Sequence, residues 1–300
     1  MSRTAKTVTI TSGEYTAEIA LRGGQLLTLT SGHDSLVVPA QAAEGAFPGA
    51  VLAPWPNRVA GAKYLHEGQK MHLSITEPET GSAIHGLLTD VRFDILLRRA
   101  SEVHLQGFIP PAEGYPFPLE VVLIYRVGAA FGMAVTLMAR YAPQDGDERA
   151  FAAAPFGVGF HPYLTAGEAP LKECRLRLPA RTVAETKPSG KVVDKLPVSG
   201  DLDLTGGPLL TGRRIDHAYT DLPKEGWTAE LTHGPSGLGV RMISDTPWAQ
   251  VYTGDRIGRA GVAVEPMSCP PNAFNSGEDL AFLSPGEWSR TGCSIEAIRT

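Results

Sequence analysis

The sequence predicts an all-β fold. Glycine (33) and proline (24) make up about a fifth of the 300 residues, a share that would break long helices repeatedly. Short runs rich in β-branched and aromatic residues recur between turn residues along the chain. Hardly any window spaces its apolar residues to support a helix of more than about three turns.

Taken in order, Thr7 to Thr11, Tyr15 to Leu21 and Gln25 to Thr30 alternate polar with apolar residues and are split by Ser12-Gly13 and Gly23-Gly24, the pattern of a half-buried meander. The same pattern returns at Val103 to Phe108, Leu119 to Val127, Met133 to Tyr141, Val240 to Ser244, Ala249 to Thr253, Gly261 to Glu265 and Cys293 to Ile298. Many strands without alternating helices pack as a large sandwich or a barrel. No repeat of roughly 20–50 residues is evident, which argues against a propeller or β-helix. The one candidate linker is Lys187 to Pro208, rich in Pro, Gly, Asp and Lys, yet Asp216 to Tyr219 resumes the strand pattern beyond it. One domain over residues 1–300, with a long excursion there, is therefore expected.

With 43% hydrophobic and 20% charged residues the chain can bury a sizeable core, which excludes intrinsic disorder. The net charge is −5, from 27 basic and 32 acidic residues, with no basic run; nucleic acid is not an expected partner. The longest stretch without Asp, Glu, Lys or Arg, Ala150 to Gly167, carries Pro155, His161 and Pro162 and does not read as a membrane span. Met1-Ser2-Arg3-Thr4-Ala5-Lys6 leads into alternating residues with no apolar leader core, so a cytoplasmic protein is expected. Cys174, Cys269 and Cys293 show no CxxC spacing and read as buried free thiols.

Four segments set polar residues among Pro and Gly. In Ala53-Pro54-Trp55-Pro56-Asn57-Arg58 two prolines fix a rigid loop ahead of an Asn-Arg pair; alone, Arg58 reads equally as an ion-pair partner of its own loop. Ile84-His85-Gly86 offers one histidine, which alone reads as a surface or satisfied core residue. In Phe156-Gly157-Val158-Gly159-Phe160-His161-Pro162, a period of two puts Phe156, Val158 and Phe160 on a core face and Gly157, Gly159 and His161 on the other. In Gly261-Val262-Ala263-Val264-Glu265-Pro266, Val262 and Val264 face the core, and Gly261, Ala263 and Glu265 share the opposite face. Pro162 and Pro266 are expected to end these strands, and the glycines to leave a hollow beside His161 and Glu265. A carboxylate on such an apolar strand must be compensated.

A metal is one reading, since His85, His161 and Glu265 make a two-His, one-carboxylate set. However, no HxH, HxxxH or HExxH spacing fixes two ligands on one element. No GxSxG elbow or Cys-His neighbour supports a nucleophile. Paired general acid and base chemistry is the simplest remaining role.

At these segments the sequence resembles the aldose 1-epimerase (mutarotase) family. The likeness runs nearly end to end: Gly23-Gly24, Asn57-Arg58, Ile84-His85-Gly86, Phe160-His161-Pro162-Tyr163, Gln250-Val251-Tyr252-Thr253-Gly254, Glu265-Pro266-Met267, Pro271-Asn272-Ala273-Phe274-Asn275 and Leu283-Ser284-Pro285-Gly286-Glu287. It implies a large antiparallel β-sandwich of the galactose mutarotase type and an isomerase of hexose metabolism that interconverts the α and β anomers of a free aldose.

By the same likeness, Glu265 removes the anomeric hydroxyl proton and His161 protonates the ring oxygen. The ring opens, the C1–C2 bond rotates, and the pair works in reverse on closure. Arg58 and His85 would hold ring oxygens, and Asp216, in Ile215-Asp216-His217, would read a hydroxyl. Asn57, Trp55 and Tyr163 are expected at the substrate. Trp55, Tyr163, Trp248 and Tyr252 offer faces to sugar C–H groups, at least half of them expected to be core instead.

Mutarotation moves protons without a redox step, so neither metal nor organic cofactor is required. Near pH 7 it calls for ionised Glu265 and protonated His161, forms that opposite charges at close range would favour. The expected partner is a small sugar, bound by a monomer or homodimer. Galactose mutarotases tend to carry Gly-Arg-aromatic-Ala before Asn-Arg, whereas here Ala53-Pro54-Trp55-Pro56 precedes it. That resembles a less-characterised bacterial branch and leaves open glucose, galactose, or an acidic or modified hexose. A hexose-6-phosphate epimerase and a non-catalytic carbohydrate-binding module are the alternatives.

Overall fold

A computed structural model describes residues 6–144, 146 and 151–299. Met1 to Ala5, part of the segment in which no leader is read, and Ala150, the start of the uncharged stretch, lie outside these.

Two antiparallel sheets dominate. The first runs Asp94–Arg98, Glu102–Ile109, Leu119–Gly128, Gly132–Tyr141, Trp288–Arg299, Leu238–Ser244, Trp227–His233 and Arg175–Arg177 in spatial order. The second runs Val192–Pro197, Thr182–Thr186, Asp216–Thr220, Trp248–Tyr252, Val262–Met267, Gly159–His161 and Ala50–Leu52, with Tyr163–Leu164 also paired to Val262–Met267. A smaller sheet joins Thr7–Ser12, Tyr15–Ala20, Leu26–Ser31 and Asp34–Ser35. Among the described residues the one α-helix is Ala273–Ser276. The strands form the large antiparallel β-sandwich expected from the sequence.

The strand runs of the meander pattern are strands here, with ends moved by a few residues, but Phe156 to His161 is broken at Gly157-Val158 into Ala154–Phe156, paired with Ala281–Leu283, and Gly159–His161 of the second sheet. Alternation decides burial: along Leu119–Gly128 the odd-numbered positions are buried and the others are not. Phe156, Val158, Phe160, Val262 and Val264 join one core cluster that runs from Val8 to Ile295. Each such buried Val or Phe contributes roughly 1.5–3 kcal/mol. Val51 and Phe160 of the second sheet share an interior gap with Met133, Val135 and Ile295 of the first, so the faces turned away from the core carry His161 and Glu265.

Three expectations are corrected or refined. The stretch after Lys187 is partly regular: Lys187 to Lys191 turns a hairpin between Thr182–Thr186 and Val192–Pro197. Pro266 does not end its strand, which continues to Met267 and pairs Pro266 with Ala249. Across the strand's other edge, partners reach only Met267 and Ala263 with Val262, and a residue without an N–H is tolerated where a ladder is interrupted.

The third concerns the glycines. A Cβ on Gly157 would stand 2.5 Å from Cys269 Sγ and 2.9 Å from Pro56 Cδ. One on Gly159 would stand 3.0 Å from Pro56 Cβ and 3.3 Å from Met267 Cγ, and one on Gly261 2.6 Å from Val38 Cγ2. The glycine faces therefore admit the Pro54–Pro56 loop and core side chains, and the hollow lies beyond them, at the strand ends. All three cysteines are free and buried, as expected. No helix among the described residues is long and apolar enough to cross a membrane.

Candidate active site

Three neighbouring strands of the second sheet supply one wall. Gln250 sits opposite Glu265, and Tyr252 sits opposite both Asp216 and Ala263. Side chains of Glu265, Gln250, Tyr252 and Asp216 thus meet on one face. His161 ends the adjoining strand, and Tyr163 follows Pro162.

The opposite wall comes from loops. The peptide Ala53–Pro54 is cis, and the chain then enters the left-handed region at Asn57 (φ 51) and again at His85 (φ 62). Asn tolerates that region because its short side chain bonds locally; here Asn57 Oδ1 accepts the Arg58 N–H at 2.9 Å. Arg58–Val59 pairs with Ala83–Ile84, and His85 N donates to Asn57 O at 2.9 Å. Asn57, Arg58 and His85 therefore reach the pocket on one small ladder.

These walls enclose a pocket also lined by Ala46, Phe47, Ile84 and Arg256. His161 Nε2 lies 3.3 Å from Glu265 Oε1. The His85 ring meets that of His161 edge-on with centroids 5.3 Å apart, and Phe47 caps His85 at 4.7 Å. Tyr163 stands 5.1 Å from His161 and donates its hydroxyl to Ala46 O at 3.1 Å. Gln250 Nε2 donates to Asp216 Oδ1 at 2.7 Å. Arg58 gives Nε and Nη2 to the two oxygens of Glu77 at 2.5 and 2.7 Å. Four buried polar atoms on the pocket residues have no protein partner: His85 Nδ1, His161 Nδ1, Gln250 Oε1 and Glu265 Oε2. Buried polar groups are nearly always satisfied, so this cluster is built to receive a polyhydroxylated ligand or water.

Burial opposes the charged form of each member of the pair. Desolvation pushes the Glu265 carboxyl well above its ordinary 4.5, with Asp216 adding to it and Arg58 opposing it. Desolvation also drops His161 to about 4. His85 falls well below 6.5 through burial and the charges of His161, Arg58 and Arg256. For both members of the pair, at 2% and 5% exposure, the loss of water disfavours the charged form. At Arg58 burial opposes the charge, but the hydrogen bonds and charge of Glu77 outweigh it and raise the pKa.

A stability profile follows from these directions. The lowered His161 adds stability as pH rises from about 4 to 6.5, and the raised Glu265 removes it as pH rises above 4.5. Above 4.5 the two oppose one another, and the lowered His85 and His217 act with His161 up to about 6.5. The Glu265 loss runs from 4.5 up to its raised folded-state pKa, with a slope of at most about 1.4 kcal/mol per pH unit. Urea unfolding of Glu265→Gln and wild type at pH 4 and 7 is expected to show a stability gap in favour of the variant that widens with pH. A gap independent of pH would refute the assignment.

Of the residues expected from the sequence, Glu265, His161, Arg58, His85, Asp216, Asn57 and Tyr163 all line this pocket. Trp55 does not: it is buried against Tyr115 and Phe274, since the flanking prolines turn its ring inward. Trp248 is likewise buried and donates Nε1 to Asp279, whereas Tyr252 lines the pocket. Phe47, Arg256 and Glu77 were not legible. Phe47 has a φ of 56, a conformation rare for a bulky residue and invisible in the letters. Among the described residues no group of three or more His, Cys, Asp or Glu side chains is placed to hold a metal ion.

Residues 6–296 match the family described as Aldose 1-epimerase. The chain is 38% identical over 306 residues to the uncharacterized protein YihR of Escherichia coli K12, with 100% of this chain and 96% of that protein covered. In fold it is similar to the GalM/aldose epimerase homologue from C. elegans, with a TM-score of 0.86, 14% identity and 99% of each chain covered. The galactose 1-epimerase from Lactobacillus acidophilus gives a TM-score of 0.78 at 16% identity, covering 98% of this chain and 94% of that one. Between the end-to-end family match and the convergence of the predicted acid, base and ring-holding side chains on one pocket, the chain belongs to the aldose 1-epimerase family.

Proposed function

We propose that this protein is an aldose 1-epimerase that interconverts the anomers of a free hexose with Glu265 as base and His161 as acid. The observation that carries the reading is the 3.3 Å contact between these two side chains in a pocket with four unsatisfied buried polar atoms. The pair holds one proton. When that proton stands on His161, the Glu265 carboxylate accepts the proton of the C1 hydroxyl as His161 delivers its own to the ring oxygen. The C1–O5 bond breaks, the C1–O1 bond becomes a carbonyl, and rotation about C1–C2 presents its other face for closure. Each positioned acid or base contributes about 10²–10⁴-fold. Arg58 favours the carboxylate form of Glu265 and, with His85, offers nitrogen to ring oxygens, while Asp216 and Gln250 read hydroxyls.

The cations weigh against a 6-phosphate requirement, because Glu77 occupies the Arg58 fork and also stands 3.8 Å from Arg256 Nη2. An acid/base pair also exceeds what a binding module needs. Freshly dissolved single anomers of glucose, galactose, an acidic hexose and a hexose 6-phosphate, followed by polarimetry, test the proposal. Acceleration over buffer with a bell-shaped kcat/KM is expected. Sugar binding without acceleration of any anomer would overturn it in favour of the binding module.

A further inference from the structure

One buried charge next to the pocket takes no part in these proton transfers. Glu77 is 5% exposed and does not line the pocket. It opens the tight turn Glu77 to Ser82, whose ends bridge to each other. Its carboxylate accepts Nε and Nη2 of Arg58, and Thr80 Oγ1 at 2.6 Å; Arg256 Nη2 stands 3.8 Å away. Arg58 is confined from another side as well. The hairpin tip at Gly190 lies so close that a Cβ there would stand 2.8 Å from Arg58 Cβ, and Ser82 Oγ donates to Ser189 O at 3.4 Å.

We infer that Glu77 is a positioning residue for the epimerase reaction, fixing the plane of the Arg58 guanidinium and offsetting its charge at the Glu265–His161 pair. The inference rests on the epimerase reading. Two parallel N–H···O bonds to one carboxylate set a guanidinium's orientation as well as its location. The charges in play are few. Glu265 faces His161, Arg58, Asp216 and Tyr163; His161 faces Glu265, His85 and Tyr163; His85 also feels Arg58 and Arg256; Arg58 faces Glu77, Asp216 and Glu265; Glu77 faces Arg58 and Arg256. Neutralising Glu77 removes the carboxylate paired directly with Arg58 and leaves its charge less compensated. Added positive potential at the acid/base pair makes every proton easier to lose, so both limbs of the pH profile move to lower pH.

For Glu77→Gln we expect KM to rise about tenfold, in line with the loss of a charged hydrogen-bonding partner, kcat to fall less, and the kcat/KM profile to shift to lower pH. In an Arg58→Met background the same substitution is expected to add little to KM and to shift no limb, because its effect runs through Arg58. Wild-type KM and pH profile in Glu77→Gln, or an undiminished effect in the Arg58→Met background, would overturn the inference. Should Glu77→Gln fail to fold, Thr80→Val carries the test, with KM raised about two- to threefold expected and an unchanged KM overturning it. Calorimetric binding of a 1,5-anhydrohexitol separates the two readings. If wild type turns over no sugar, the epimerase reading fails, while an affinity for the anhydrohexitol about tenfold weaker in Glu77→Gln still supports, and an unchanged one still refutes, the positioning role.

Discussion

Glu265→Gln is expected to lower kcat/KM for anomerisation by about 10²–10⁴-fold while the chain folds and binds sugar. Gln keeps the shape of the side chain and removes the titrating oxygen, so the pair with His161 can no longer pass a proton. His161→Asn should give a loss of the same order. Because the two groups act as one unit, the double variant should be scarcely slower than either single one. Additive losses in the double variant, or turnover near wild type in either single one, would separate the pair from the chemistry. Stability and activity should part company in Glu265→Gln. The variant removes a carboxyl whose ionisation burial opposes, and sites tuned for function are commonly stabilised by the change that silences them.

Gly86→Ala is expected to damage the fold itself. Gly86 has a φ of 73, and a Cβ there would lie 2.2 Å from Ala53 O, 2.4 Å from Ala53 C and 2.9 Å from Pro54 N. The Ala53 carbonyl cannot retreat freely, since it accepts the N–H groups of Leu87 at 2.7 Å and Leu88 at 3.0 Å. A left-handed L-residue costs roughly 1–2 kcal/mol, and relieving a backbone clash adds more, to a total above about 4 kcal/mol. At about 2–4 °C per kcal/mol, a fall in Tm of about 10 °C or complete loss of folding should appear in thermal melts. Since His85 precedes Gly86 and Asn57 holds its N–H, any folded fraction should also bind sugar weakly. A melt superimposable on wild type would show that the loop yields where the hydrogen bonds say it cannot.

The fold was legible because alternation is a local signal. In Gly132–Tyr141 and Trp288–Arg299 the two faces of a strand meet different surroundings, and the letters carry that difference directly. His161 and Glu265 were legible for the same reason, as polar residues on the non-core face of apolar strands. The glycines beside them were read with the right face and the wrong occupant, because nothing in a strand's own sequence says which distant loop will fill the space. Pro56 does so from about a hundred residues away. The weight of burial on the pair was hidden for a similar reason. Charge attraction can be guessed from residue types, but desolvation depends on how completely Tyr163, Phe47 and their neighbours close over the pair. Glu77 was hidden by its setting, Thr76-Glu77-Pro78-Glu79, where two acids look alike and only packing distinguishes the buried one from its exposed neighbour.

The seating of Pro56 against Gly159 also constrains how this sequence can drift. The two positions share one volume, and the loop that carries Pro56 runs directly into Asn57 and Arg58. A methyl group gained at 159 displaces that loop, and with it a guanidinium, unless position 56 shrinks in the same lineage. Positions 56 and 159 are thus expected to covary among descendants of this chain, with neither change surviving long without the other. The record of that constraint would lie in paired substitutions, at sites that themselves touch no sugar.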